Sequence, residues 1–105
     1  MKLLTDTLKQ RFAEIGEQRD TDDALVIAKF FNPYGAATWY ATAYYPDENI
    51  CFGYITGLVP GGDEWGYFSI TELESVKIPP FNLSLERDLY FEECRFSELD
   101  IPSKY

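Results

Sequence analysis

TWYATAYYPDENICFGYITG, residues Thr38 to Gly57, sets the architecture of this chain. Two runs rich in aromatic and β-branched residues, Thr38 to Tyr45 and Ile50 to Gly57, flank Pro46-Asp47-Glu48-Asn49. The tetrapeptide supplies a fixed φ at Pro46, a side-chain turn acceptor at Asp47 and a residue that tolerates the left-handed region at Asn49. The spacing predicts an antiparallel hairpin. With a four-residue loop, Tyr45 falls opposite Ile50, and the pairing runs back through Tyr44 with Cys51, Ala43 with Phe52, Thr42 with Gly53, Ala41 with Tyr54 and Tyr40 with Ile55. Side chains alternate across a strand, so Trp39, Ala41, Ala43, Tyr45, Ile50, Phe52 and Tyr54 share one face, and small residues there oppose large ones, as under a packed helix. This is the expected core face. Tyr40, Thr42, Tyr44, Cys51, Gly53 and Ile55 share the other, and a slip of one residue would exchange the two sets.

The remaining elements follow from capping and periodicity. Thr5 caps a helix with Leu8, Phe12 and Ile15 on one side, and Gly16 ends it. Glu17 to Asp23 reads as an exposed, charge-rich loop; its Asp20, Asp22 and Asp23 lack the Gly and distant Glu of a calcium loop. Ala24 to Phe31 is a nearly continuous apolar run, as in an interior strand. Trp65 to Phe68 reads as a short strand. Ser69 and Glu72 make an S-x-x-E capping box, and Phe68 and Leu73 stand at the staple positions of a second helix that Pro79-Pro80 stops. Asp88 to Glu92 reads as the last strand, and Ser97 to Asp100 as a closing turn. The expected fold is one α+β domain over residues 1–105, with an antiparallel or mixed sheet of about five strands, an N-terminal helix and a second short helix packed on it.

Eighteen acidic residues face nine basic ones, and the net charge is −9 with no His. That balance opposes direct binding to nucleic acid or to an anionic membrane, both of which require cationic surface, and it fits a protein partner with a basic surface. It also keeps an aromatic-rich small domain soluble. The absence of His removes Ser-His, Cys-His and His-metal arrangements, and the two cysteines, Cys51 and Cys94, read as small buried hydrophobes. No cofactor or metal is expected. No apolar run suggests a leader or a membrane span, so a cytoplasmic location is expected.

Two clusters stand out as sites. Eight Tyr exceed what a core of this size buries readily, because each buried hydroxyl needs a partner. Tyr40 and Tyr44 on the non-core face, with Asp47 and Glu48 at the hairpin tip and Asp63 and Glu64 in the glycine loop, form the expected partner-binding set. The alternative is an acidic site in which Glu86 and Asp88, two apart, project together near Tyr90, to hold a ligand or act in acid–base chemistry.

Trp39-Tyr40-Ala41-Thr42 with Tyr44 and Pro46, Phe52-Gly53, Gly66-Tyr67-Phe68-Ser69 with Glu72-Leu73-Glu74, and Glu86-Arg87-Asp88-Leu89-Tyr90-Phe91 resemble successive blocks of the domain of unknown function 2958 family. Leu3-Leu4-Thr5 and Ser97-Glu98-Leu99 resemble its ends. The chain departs at Tyr45, where an acidic residue is expected before Pro46, and at Pro79-Pro80. The resemblance implies a setting among bacterial plasmids, integrative elements and phages, and it transfers no activity or catalytic residue. Together with the acidity, it suggests a non-enzymatic protein-interaction module of a mobile genetic element. One form of this is an acidic inhibitor, of anti-CRISPR or anti-restriction type, acting on a host nucleic-acid-handling defence enzyme. A small carboxylate enzyme, a ligand-binding domain and a homodimerising structural subunit remain open.

Overall fold

The computed structural model describes residues 2–101, and the fold is α+β with a wholly antiparallel central sheet. Helix α1 (Asp6–Ile15) leads to β1 (Leu25–Val26), β2 (Ala28–Phe31), β3 (Thr38–Tyr45), β4 (Ile50–Thr56) and β5 (Glu64–Ser69). Helix α2 (Ile70–Ser75), β6 (Glu86–Arg87), β7 (Cys94–Arg95) and a 3-10 turn (Phe96–Glu98) follow. The five-stranded sheet has the order β5-β4-β3-β2-β6, and β1 and β7 form a separate ribbon.

Both helices start where their caps predict. Thr5 Oγ1 accepts the Leu8 N–H at 3.1 Å, and Gly16, at φ 74°, ends α1 by donating to the Phe12 carbonyl. Ser69 Oγ accepts the Glu72 N–H at 3.1 Å. Leu8, Phe12 and Ile15 of α1 and Ile70 and Leu73 of α2 meet Trp39, Ala41, Cys51, Phe30 and Phe68 in the main core. Burial of a side chain such as Phe12, 2% exposed, stabilises by about 1.5–3 kcal/mol.

The hairpin forms around the expected loop, with Tyr45 opposite Ile50 and Asn49 at φ 53°. Its faces differ from the simple alternation. Ala43 pairs with Phe52 and Ala41 with Gly53, so Thr42 is an extra residue on β3, a β-bulge. Alternation changes phase there. Trp39 and Ala41 lie in the main core as expected, whereas Tyr45, Ile50, Phe52 and Tyr54 lie on the opposite face, and Tyr44, Cys51 and Ile55 turn towards the helices. Tyr40 and Tyr44, expected to be neighbours on one face, are thereby separated onto the two faces of the sheet.

Other boundaries move for local reasons. The run Ala24 to Phe31 divides at Ile27, because its first half pairs with β7 and its second with β3 and β6. The last sheet strand is Glu86–Arg87 and not Asp88 to Glu92. Asp88 ends it by accepting the Tyr90 N–H on its side chain at 2.9 Å, an Asx turn that bends the chain away. Helix α2 ends at Ser75 with Val76 as its cap, before the prolines, and the cis Pro79-Pro80 bond sits in a turn closed by Ile78 and Leu83. Gln18, expected in an exposed loop, is 8% exposed.

Candidate interaction surface

The helices cover one face of the sheet. On the other, the β1–β7 ribbon with Leu99 and Ile101 covers Tyr54 and Tyr40 in a second, smaller core. Towards β5 the cover ends, and the bulge delivers a continuous row of rings to the uncovered part. Tyr45 meets Tyr67 at 6.0 Å between centroids, Tyr67 meets Phe52 edge-on at 5.0 Å, and Phe52 stacks on Trp65 at 6.0 Å and 14°. Trp65 then contacts Tyr54 at 5.3 Å and Phe96 at 4.7 Å. Each such pair adds about 0.5–1.5 kcal/mol beyond its area burial. The row therefore holds its own shape while presenting surface: Trp65 is 40% exposed and Tyr67 52%.

The loop between α1 and β1 runs along this row. Gln18 pins it, donating from Nε2 to the Thr42 carbonyl at 2.7 Å and the Leu25 carbonyl at 2.8 Å while Oε1 accepts the Leu25 N–H at 2.8 Å. The bulge would otherwise strand a buried carbonyl at Thr42. Glu17 Oε2 accepts the Tyr45 hydroxyl at 2.5 Å, and Arg19 Nη1 donates to the Tyr67 hydroxyl at 3.3 Å with Nε 3.4 Å from Glu17 Oε2. Burial, then the bond to Glu17, pushes the Tyr45 phenol up to about 12, and the same hydroxyl holds the Glu17 carboxyl below its ordinary range. Two depressions flank Arg19. One, of about 310 Å³, is lined by Tyr45, Glu48, Ile50 and Tyr67; the other, of about 280 Å³, by Gln18, Asp22, Thr42, Phe52 and Trp65.

The residues singled out in the sequence divide around this surface. Glu48 lines the first depression, and Asp47 stands exposed beside it at the hairpin tip. Tyr40 is half-buried in the second core, with Lys29 Nζ 5.8 Å from its ring centre. Tyr44 packs on Phe12, and its hydroxyl donates to Asn49 Oδ1 at 2.7 Å, tying the hairpin turn to the core. Asp63 accepts the Gly57 N–H at 3.0 Å, which closes the glycine loop, and Glu64 pairs with Ile55 at the start of β5. Trp65, Tyr67, Tyr45, Phe52 and Arg19 were not selected in the sequence. For Trp65 and Tyr67 the signal was Trp65-Gly66-Tyr67, aromatics two apart on a strand and so on one face, and the structure puts that strand at the sheet edge.

Glu86, Asp88 and Tyr90 line a separate depression of about 130 Å³, smaller than the roughly 300 Å³ at which small-molecule pockets begin. Asp88 lies 3.6 Å from Lys29 Nζ and accepts the Tyr90 N–H, so its carboxylate serves the turn, and Tyr90 is 92% exposed. Among the described residues no group of three or more His, Cys, Asp or Glu is placed to hold a metal ion, and no helix is long and apolar enough to cross a membrane.

The fold and surface define a small acidic α+β domain that leaves an aromatic row uncovered on one sheet face. The chain belongs to the family described as protein of unknown function (DUF2958), whose sequence model matches residues 3–98. Neither the curated proteins nor the solved structures contain a match.

Proposed function

We propose that this protein is a non-enzymatic interaction module that binds a basic surface of a partner protein through the aromatic face of β4 and β5. The carrying observation is the row from Tyr45 through Tyr67 and Phe52 to Trp65, half-buried at Tyr45 and Phe52 and exposed at Tyr67 and Trp65, in a chain of net charge −9 and bordered by Glu17, Asp22 and Glu48. Exposed aromatics supply contact area at little entropic cost, and carboxylates beside them select cationic side chains and speed encounter. Nucleic acid is disfavoured as a ligand, since stacking on the rings would bring phosphates against the same carboxylates.

A surface on which a partner normally binds nucleic acid meets this description. Together with the mobile-element setting that the family resemblance implies, it favours an acidic inhibitor of a host nucleic-acid-handling defence enzyme. Affinity capture from a host expressing restriction and CRISPR effectors, with the wild-type chain and Trp65→Ala, tests the reading. The expected result is a basic partner held at low salt, released by high salt or added DNA, and lost with Trp65→Ala. No basic partner at low salt, or equal recovery with Trp65→Ala, contradicts it.

A further inference from the structure

We propose that the aromatic face is a seat for an arginine side chain of the partner, and that Arg19 occupies this seat in the free protein as an intramolecular placeholder. The inference rests on the interaction reading above and names the chemistry it recognises. Arg19 lies between the two depressions, lining both, with its guanidinium reaching the Tyr67 hydroxyl and the Glu17 carboxylate. Those are an acceptor beside an aromatic ring and an anion, the pair of features that a planar guanidinium satisfies together and a compact ammonium does not. Trp65 and Tyr67 offer exposed ring surface on either side.

The hold on Arg19 is weak by construction. Its side chain is 58% exposed, and its contacts at 3.3 and 3.4 Å are long for charge-assisted bonds, which run to about 2.7–2.9 Å. An exposed pair of this kind contributes little and is readily exchanged. A partner arginine entering from solvent meets the same acceptors and can in addition cover Trp65, which lines the second depression with Arg19. Glu17 keeps the Tyr45 hydroxyl and the Gln18 and Arg19 backbone N–H groups as donors whichever guanidinium lies beside it.

Isothermal titration of the purified chain with an oligo-arginine peptide, an oligo-lysine peptide and a single-stranded oligonucleotide tests the proposal. Oligo-arginine is expected to bind more tightly than oligo-lysine, and the oligonucleotide not to bind. Arg19→Ala is expected to tighten oligo-arginine binding by about two- to fivefold, the competition of one exposed pair. Lys77→Gln, which removes the same charge from an exposed position beyond α2, is expected to tighten it less. Trp65→Ala is expected to weaken it by at least about tenfold. A gain with Arg19→Ala no larger than with Lys77→Gln, or a loss, would overturn the placeholder. If capture of a basic partner still depends on Trp65 in that case, the interaction reading stands without it. Tighter binding of the oligonucleotide than of oligo-arginine overturns both.

Discussion

Gln18 and Thr42, twenty-four residues apart, are joined by a buried hydrogen bond of 2.7 Å from the Gln18 amide to the carbonyl of the bulged residue. With its two bonds to Leu25, this side chain fastens the α1–β1 loop to the sheet at the point where the strand's alternation changes phase. Gln18→Leu fills similar space but leaves two carbonyls and an N–H without partners. The expected cost is about 2–4 kcal/mol, read as a lower urea midpoint. A change under about 0.5 kcal/mol would show that the bulge does not need its clasp.

Gly53 stands opposite the bulge, and a Cβ there would collide with the Tyr40 carbonyl and lie 2.9 Å from the Ala41 Cα. These are backbone atoms that no rotamer change can move aside. Gly53→Ala is therefore expected to destabilise by about 3 kcal/mol or more, or to prevent folding, whereas Gly61→Ala, with open space around it, should show only the smaller cost of its positive φ. Circular dichroism melting of the two variants checks the contrast, and equal melting temperatures would refute it.

The hairpin shows how far the sequence carries and where it stops. Its strands, loop and first three pairs follow from Pro46 and Asn49 and from β-rich composition, which are local signals. The bulge at Thr42 is not local. It depends on Gly53 admitting the bent backbone and on Gln18, distant in sequence, receiving the freed carbonyl, and one inserted residue is enough to exchange the faces beyond it. That is why Tyr44, expected at the surface, anchors the turn, and why Phe52 and Tyr45, expected in the core, join the row of rings beside Tyr67. The strand end at Asp88 was obscured in another way, because the Asx turn competes with extended backbone only through a side-chain bond.

Glu17 and Tyr45 set two edges on the pH dependence of stability. The Glu17 carboxyl is lowered in the fold, so its contribution is present above the ordinary value of 4.5 and fades as pH falls through the lower folded value. The Tyr45 phenol is raised from 10.0 to about 12, so its contribution is complete below 10.0 and is lost as pH rises towards 12. Tyr45→Phe should return Glu17 towards its ordinary range in an NMR titration and flatten the alkaline decline in urea midpoint. An unchanged Glu17 titration would show that the hydroxyl does not hold it.

Cys51 is fully buried in the main core beneath the helices, and burial pushes its thiol far up. In a Cys94→Ser background the remaining thiol should stay unreactive to a thiol reagent until denaturant is added. Stoichiometric labelling of the native variant would indicate that this part of the sheet opens.

We propose that the uncovered aromatic row receives a basic partner. Amide and indole NMR shifts recorded while an oligo-arginine peptide is added at low salt test it most directly. Changes are expected to centre on Trp65, Tyr67, Phe52, Tyr45 and the Glu17–Arg19 loop, and to be suppressed at high salt. Changes spread evenly over the acidic residues of the whole molecule, or centred on Glu86, Asp88 and Tyr90, would contradict it.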